Sequence, residues 1–466
     1  MEFPKIIQGG MGVIISGPPL AKEVSRLGQL GTVSGVAFER IFARILQRGD
    51  PGGQIRHALS HFPFQEYVKR VMDAFFVEGG KFESTAFKAV PIFNINPSPL
   101  LISLTICANF ALVWLAKEGH TNPVSINYLE KVAMPHIYAI TGAMLASVDF
   151  ITMGAGIPLQ IPEVINAVAE GRTVTYRVPV IGENITSHEM SFNPEQFFGG
   201  KLPSMKRPGF IPIIASNLLA KILVERLPEG SIYGFVIEEP TAGGHNAPPR
   251  RGGFYGPKDE VDYPKIASIG LPFWIGGSKA SPEMLEWAFS VGAKGIQVGS
   301  IFALCEESGM DPKIRAEIRK LGFQGKLKIR TDMRFSPAGF PFKVVELLGT
   351  LSEPEVIKSR VRRCDQGALA TLYEKPDGLI GYRCPAESTE CFISKGGDVA
   401  DTFSRGCLCN GLISAAGFGN KEEPLVVTLG DDTSFLPFLM YSPNGSYSAE
   451  DAVDYLLSQI TLASGG

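Results

Sequence analysis

The residues best suited to chemistry lie in one stretch, positions 233–251, which reads YGFVIEEPTAGGHNAPPRR. An apolar run there ends in two carboxylates, the first of them Glu238, and Gly243 and Gly244 then precede His245. Glycines let the backbone pass close to a flat or bulky ligand, and histidine transfers protons near neutral pH. The pattern is typical of an active site at the carboxyl end of a barrel strand. A tight turn whose histidine caps or packs is the alternative.

A candidate phosphate site follows two later apolar runs. Gly276, Gly277 and Ser278 follow the first run, Gly299 and Ser300 follow the second, and each run leads into a helical pattern. Backbone N–H groups in such turns bind phosphate, and turns after the seventh and eighth strands form the usual phosphate site of a barrel. Ordinary strand-to-helix turns are the alternative. The sequence has no G-x-G-x-x-G or G-x-x-x-x-G-K-[ST] motif, so neither a Rossmann nor a P-loop site is supported.

The elements that must position these residues are short apolar runs, nearly all followed by a helical pattern. Eight such runs lie near Ile6, Thr32, Val124, Phe150, Ile211, Gly234, Phe273 and Gly295. This alternation favours a parallel sheet, and eight repeats predict closure into a (β/α)8 TIM barrel. A doubly wound open sheet is the alternative.

The remaining segments predict a domain division. We expect a barrel domain at 1–348, with insertions at about 38–122 and 170–208, and an extension at 349–466 that carries five cysteines. The second insertion has the pattern of a small hairpin. Residues 100–116 are nearly continuously apolar and are interpreted as a buried helix, with a re-entrant helix or the interface helix of a homodimer as alternatives.

Composition limits the classes of partner. The net charge of −3 and the lack of a basic block predict no nucleic-acid partner. The first ten residues lack a signal-peptide pattern, and the seven cysteines are odd in number, so we expect free thiols, a cytoplasmic protein and no membrane partner. The cysteines do not form paired C-x-x-C motifs, so no metal is expected.

Several of these motifs, taken in order, resemble one family. They are QGGMG at 8–12, the Gly-Ala-Gly of MGAGIP, PIIAS at 212–216, AGGH at 242–245, IGG at 275–277 and GIQVGS at 295–300. Their order and spacing resemble the nitronate monooxygenase family, formerly called 2-nitropropane dioxygenase. Flavin-dependent enoyl-ACP reductases and the enoyl reductases of polyunsaturated fatty-acid and polyketide synthases belong to the same superfamily. The resemblance covers roughly residues 4–310.

The resemblance implies a barrel that holds FMN non-covalently. The resemblance implies these contacts with the cofactor: Gln8, Gly10 and Met11 along the flavin ring through their backbone, Asn127, Glu238 near the ribityl chain with Gly243 beside it, and Gly276, Gly277, Gln297, Gly299 and Ser300 at the phosphate. His245 matches the active-site histidine of the family. The implied activity is oxidation of alkyl nitronates with O2.

Two features depart from many nitronate-oxidising members. The histidine is followed by NAPPRR, which is more similar to synthase-type enoyl reductases, and Thr241 stands where many relatives carry Glu. An NAD(P)H-dependent enoyl-thioester reductase therefore stays an alternative, as does a non-catalytic flavin-binding module of a larger assembly. Arg250 and Arg251 are candidates for meeting an anionic substrate, although a solvated basic turn explains them equally well.

Overall fold

The computed structural model describes residues 3–182, 186–250, 253–420 and 422–463. Its strands are β1 (Ile6–Gln8), β2 (Gly31–Ser34), β3 (Val124–Leu129), β4 (Phe150–Gly154), β5 (Val174–Ile181), β6 (Thr186–Phe192), β7 (Gly209–Ile214), β8 (Phe235–Glu238), β9 (Phe273–Gly276), β10 (Gly295–Val298), β11 (Ile329–Asp332), β12 (Phe342–Val345), β13 (Thr371–Glu374) and β14 (Ile380–Arg383).

Helices cover much of the remaining chain. They are α1 (Pro18–Arg26), α2 (Phe38–Gln47), α3 (Gln54–Ser60), α4 (Gln65–Phe75), α5 (Pro99–Lys117), α6 (His136–Leu145), α7 (Ile161–Ala169), α8 (Pro194–Phe198), α9 (Asn217–Arg226), α10 (Tyr263–Ala267), α11 (Pro282–Ser290), α12 (Ser300–Ala303), α13 (Pro312–Phe323), α14 (Pro354–Ser359), α15 (Thr389–Ser394), α16 (Leu408–Ala415), α17 (Leu436–Leu439) and α18 (Ala449–Ala463). Two 3-10 helices lie at Pro51–Gly53 and Val399–Thr402.

A parallel eight-stranded sheet forms the centre of the described part of the molecule. Its strand order is β1-β10-β9-β8-β7-β4-β3-β2. The two edges meet where Gln8 donates its N–H to the Leu30 carbonyl (3.0 Å) and Leu30 donates to the Ile6 carbonyl (3.1 Å). The sheet therefore closes into a (β/α)8 TIM barrel, as the sequence predicts, and each of the eight expected strands is present.

Alternating side chains fill the two faces of the barrel wall. Ile7, Val236 and Trp274 are fully buried in a cluster inside the barrel. Phe235 and Ile237, which flank Val236, are equally buried but pack outward against the helices. This period of two is the expected consequence of strand geometry, and it leaves the carboxyl ends of the strands free to carry a site.

Helix α5 is the core helix that the apolar run at 100–116 predicts. Ser98 caps it by accepting the N–H of Leu101 (3.3 Å), and Pro99 occupies its first turn, where a missing N–H does no harm. By length and composition the helix is apolar enough to cross a membrane, but 78% of its apolar window is buried inside the protein, where it packs against α1, α4 and α6. Packing within the fold accounts for its apolar composition.

The second insertion and the C-terminal extension fold together. Strands β5 and β6 form the hairpin expected at 170–208, and β13 of the extension pairs in parallel with β5, giving a sheet of order β14-β13-β5-β6. Helix α18 returns to the barrel and packs against α1 and α11. The boundary between a barrel domain at 1–348 and an extension at 349–466 stays a prediction.

Candidate functional site

A cavity of about 240 Å³ lies at the carboxyl ends of the barrel strands. The predicted site residues that line it are Gly10, Met11, Asn127, Glu238, Gly243, Gly244, His245, Gly276, Gly277, Ser278, Gln297, Gly299 and Ser300. These residues come from six separate places in the sequence. The structure thus brings the histidine and both glycine turns to one space, while their individual roles stay predictions.

Gln8 differs from the other predicted site residues in the placement of its side chain, while its expected backbone contact with the flavin ring stays a prediction. Its side chain is fully buried and lies outside the cavity lining. Its amide nitrogen donates to Ser16 Oγ (2.8 Å), and its amide oxygen accepts the N–H of Thr32 (2.9 Å). Because Ile7 faces the barrel interior, the side chain of the next residue, Gln8, points to the other face of the sheet. There it joins β1 to β2.

The loop after β1 is held rigidly beside the cavity. Ser16 Oγ accepts the N–H of Met11 (2.9 Å) and donates to the carbonyl of Gly9 (3.0 Å). A Cβ added to Gly10 would lie 2.2 Å from the Cβ of Asn127 and 3.0 Å from its Oδ1. Glycine at this position therefore allows β3 and the loop to meet in one wall of the cavity.

Asn127 is fixed by its neighbour on the barrel wall. It is 4% exposed and donates its Nδ2 to Thr152 Oγ1 at 3.1 Å. The two residues are partners in the register of β3 and β4. This hydrogen bond leaves the amide oxygen on the side of Gly10, at the cavity wall, where it can accept a hydrogen bond from a ligand.

The two glycine turns lie side by side because their strands are paired. Gln297 is the register partner of Gly276. Gly277 has a φ of 103°, and a Cβ there would lie 2.9 Å from Thr241 Oγ1. Helix α11 begins at Pro282 with Ser281 as its cap, where the sequence pattern predicts it. The first turn is therefore a loop beside the cavity rather than the end of that helix.

His245 faces the cavity beside an aromatic wall. Its Nε2 shares a hydrogen bond with Ser336 Oγ at 2.6 Å, and its ring meets the edge of the Phe342 ring at 4.9 Å between centroids. Burial lowers the pKa of His245 well below its usual value, and the positive charge of Lys131 lowers it further. The imidazole is therefore neutral at physiological pH and able to accept a proton.

The two carboxylates that follow β8 have different environments. Burial raises the pKa of Glu238 to about 7, although Lys131 and the amide of Asn246 act in the opposite direction. Glu239 instead pairs with Lys279 Nζ (2.7 Å) and accepts a hydrogen bond from the Tyr263 hydroxyl (2.5 Å). Glu239 therefore braces the turn after β9, while Glu238 remains at the cavity.

The C-terminal extension supplies part of the site, which sequence reasoning missed. Gly244 donates its N–H to Thr428 Oγ1 (2.7 Å), and Gly430 donates its N–H to Ser300 Oγ (2.8 Å). Side chains of the extension at 408–413 and 426–429 close one side of the cavity. One sequence signal could have indicated this segment. The largely apolar run at 425–429 is followed by Gly-Asp-Asp and so resembles the end of a barrel strand.

Lys131, Ser336 and Thr428 were not candidates from the sequence. Each is a common polar residue in a segment without a motif, and each reaches the site only through the tertiary fold. Arg250 is exposed and its backbone N–H is bound by Asp259 Oδ1 (2.8 Å), whereas Arg251 lies outside the described residues. Arg250 is not among the described residues that line the cavity.

Four cysteines of the extension surround a separate space of about 10 Å³; they are Cys364, Cys384, Cys407 and Cys409. All seven cysteines lie in the described residues and are unpaired. Burial raises the pKa of Cys407 to about 11, so its sulfur is a thiol at neutral pH. No group of three or more His, Cys, Asp or Glu side chains in the described ranges has a geometry that could hold a metal ion.

Comparison with known proteins identifies the fold. No family model matches the chain, and no curated protein matches it. The structure is similar to that of FabK from Thermotoga maritima, with 14% identity, a TM-score of 0.50, and coverage of 99% of this chain and 94% of that one. At this identity the likeness shows the barrel fold alone.

Two further solved structures have lower TM-scores. Nitroalkane oxidase from Streptomyces ansochromogenes is 12% identical with a TM-score of 0.45, covering 99% of this chain and 97% of that one. The enoyl reductase domain of MlnA from Bacillus amyloliquefaciens is 11% identical with a TM-score of 0.47, at the same coverage. The relation that the motifs suggest is thus confirmed at the level of fold, by FabK, and these two matches add no argument of their own.

Proposed function

We propose that the chain is an FMN-dependent oxidoreductase that oxidises alkyl nitronates with O2. The observation that supports this most strongly is the convergence of two glycine turns, the Gly10–Asn127 contact and His245 on one cavity. A flavin needs close backbone approach along its ring, oriented amides for its phosphate and a side chain that positions the substrate at its reactive face. The residues around the cavity are of the types that these three tasks require, which supports the proposal.

The residues at the phosphate end fit FMN. Thr241 Oγ1 is buried without a hydrogen-bond partner in the described residues, and it lies where a Cβ on Gly277 would reach it. Thr241 itself is not part of the cavity lining, so the fit to a phosphate rests on the backbone of the turn beside it. The N–H groups of Gly277 and Ser278 belong to the same turn, which lines the cavity.

Each group of the chain then has a defined task. Bound FMN would supply the ring that accepts electrons from the substrate carbon. The turns at Gly276–Ser278 and Gly299–Ser300 would hold the phosphate, and Met11 would border the ring. His245, kept neutral and held by Ser336, would position the anionic substrate with its carbon over the ring.

A second candidate is an NAD(P)H-dependent enoyl-thioester reductase using the same cofactor. The residues after the histidine favour it, because GGHNAPP is more similar to the synthase-type enoyl reductases. Both candidates use the same cofactor end of the cavity and differ in the substrate that meets His245. For either one we propose a cytoplasmic enzyme.

Anaerobic mixing separates these candidates. We expect the purified protein to be yellow and an alkyl nitronate alone to bleach its flavin. Bleaching by NAD(P)H but not by nitronate would favour the enoyl reductase instead. A colourless protein that cannot be reconstituted with FMN would refute both.

The role of His245 is tested by comparing two histidine variants. We expect His245→Ala to slow flavin reduction by an alkyl nitronate about 10–100-fold, because the anion would lose a hydrogen bond of about 1.5–3 kcal/mol that holds it over the ring. His188→Ala is the matched control, because that residue lies in the β6 strand of the hairpin and outside the cavity lining. Equal rates for both variants would mean that His245 only packs.

A further inference from the structure

Lys131 carries a buried ammonium that the described structure leaves without a hydrogen-bond partner. The residue follows β3 in the chain, and its Nζ lies 3.8 Å from the centroid of the Phe340 ring. An aromatic face offsets part of the cost of burying a cation. It does not replace the hydrogen bonds that an ammonium makes in water, so three N–H donors remain available.

Lys131 lies at the margin of the cavity: its chain neighbours Leu129 and Val132 line the cavity, although Lys131 itself does not. Its charge acts on Glu238 and on His245, both of which line the cavity. Phe340, which lies under the ammonium, also meets the edge of the His245 ring at 6.3 Å between centroids. Lys131, Phe340, Glu238 and His245 therefore form one group, which we call the lysine cluster.

The charge of Lys131 is incompletely balanced within this cluster. No ion pair within 4 Å joins it to Glu238 or Glu130 in the described part of the chain, although both carboxylates act on it electrostatically. Glu239, the other carboxylate at the end of β8, is already paired with Lys279. A cation buried beside a ligand cavity without a bonded anion is a favourable position for an anionic ligand.

We propose that Lys131 binds the negatively charged oxygen of the substrate at the His245 end of the cavity. The inference rests on the proposed function. It narrows the substrate class to small organic oxyanions, such as an alkyl nitronate, whose negative charge is shared by two oxygens. Lys131 would then hold the anion while His245, whose ring meets the same Phe340, faces the reacting carbon. This is a binding role and adds no chemical step.

The pH dependence follows from every titratable group that faces the ammonium. Burial lowers the pKa of Lys131 to about 7, against the raising effect of Glu238 and Glu130. The pKa values of both carboxyls are raised by burial, that of Glu238 to about 7. As the pH rises through about 7, Lys131 loses its charge and Glu238 gains one, while His245 stays neutral. The loss of positive charge on Lys131 and the gain of negative charge on Glu238 both weaken anion binding.

Isobutyrate is a suitable probe, because it has the shape and charge of propane-2-nitronate but gives up no electrons. Its dissociation constant is measured on the full-length protein by the thermal shift and, with flavin bound, by the flavin absorbance change. We expect Lys131→Met to weaken isobutyrate binding about 10–100-fold at pH 6.5, since a hydrogen bond to a charged group contributes about 1.5–3 kcal/mol. Lys131→Arg should retain most of the affinity.

The exposed Lys201 provides the control, and Lys201→Met should bind isobutyrate like the wild type. Wild-type affinity should fall between pH 6 and 9, and this readout does not depend on any variant folding. An unchanged affinity in Lys131→Met, or a flat wild-type profile, would overturn the inference. If isobutyrate binding follows the prediction but no nitronate bleaches the flavin, the proposed function fails while the anion site stands.

Discussion

Gly10→Ala tests the construction of the cavity wall, because the structure leaves no space for the added methyl group. The new Cβ would lie 2.2 Å from the Cβ of Asn127 and 2.6 Å from its Cγ. Carbon atoms in contact prefer about 3.5–4.0 Å, so Asn127 must move by more than an ångström. Its hydrogen bond to Thr152 resists that movement. Overpacking of this kind costs about 1–3 kcal/mol.

The displaced Asn127 would enter the space assigned to the flavin ring. We therefore expect Gly10→Ala to lower the melting temperature and to weaken FMN binding by about 5–150-fold, the factor that corresponds to 1–3 kcal/mol. The assay is FMN titration into protein stripped of cofactor, followed by flavin fluorescence. Gly17→Ala is the matched control, since this residue lies outside the cavity lining and its nearest neighbours would lie at an ordinary 3.4 Å. Equal FMN affinity in both variants would refute the close contact between Gly10 and Asn127.

Three further predictions concern the polar groups around the cavity. Ser336→Ala should slow flavin reduction about 10-fold, because the His245 ring loses its orienting hydrogen bond, and it should leave FMN binding unchanged. Stopped-flow measurement of the reduction rate checks this. Thr428→Val should lower unfolding stability by about 1–3 kcal/mol in urea, because the Gly244 N–H loses its partner. The pKa of Glu238 is raised from 4.5 to about 7, so the stability it contributes is present below about pH 4.5 and lost as pH rises through 7. Urea unfolding of Glu238→Gln should lack this slope, about 1–3 kcal/mol between pH 5 and 8.

The barrel was predictable because its signals are local. Each strand is a short apolar run that ends in glycine or a polar residue, and most runs lead into an amphipathic helix, as at Ile6–Gln8 and Pro18–Arg26. Parallel strands in a closed barrel must present their carboxyl ends at one rim. Once the strands were recognised, the shared location of His245 and the Gly276 turn followed from topology.

The rest of the site depends on contacts between distant parts of the chain. The bond from Gly430 to Ser300 spans 130 residues, and that from Gly244 to Thr428 spans 184. No local pattern encodes such a pairing. Lys131 lies beside a glutamate in a loop, a sequence pattern typical of a solvated surface, and only the fold buries its ammonium against Phe340.

The side chain of Gln8 shows a second limit of local patterns. The alternation along β1 directs it to the face of the sheet away from the barrel interior. There its amide joins the first two strands through Ser16 and Thr32. A three-residue strand is too short for its facing pattern to be recognised from the sequence.

The central claim is that the paired glycine turns after β9 and β10 hold the phosphate of a flavin nucleotide. The most direct measurement compares the dissociation constants of FMN and riboflavin, which differ only by that phosphate, on protein stripped of cofactor. Because two charge-assisted hydrogen bonds of about 1.5 kcal/mol each would be lost with riboflavin, we expect FMN to bind at least about 100-fold more tightly. Equal affinities, or no binding of either flavin, would contradict the account.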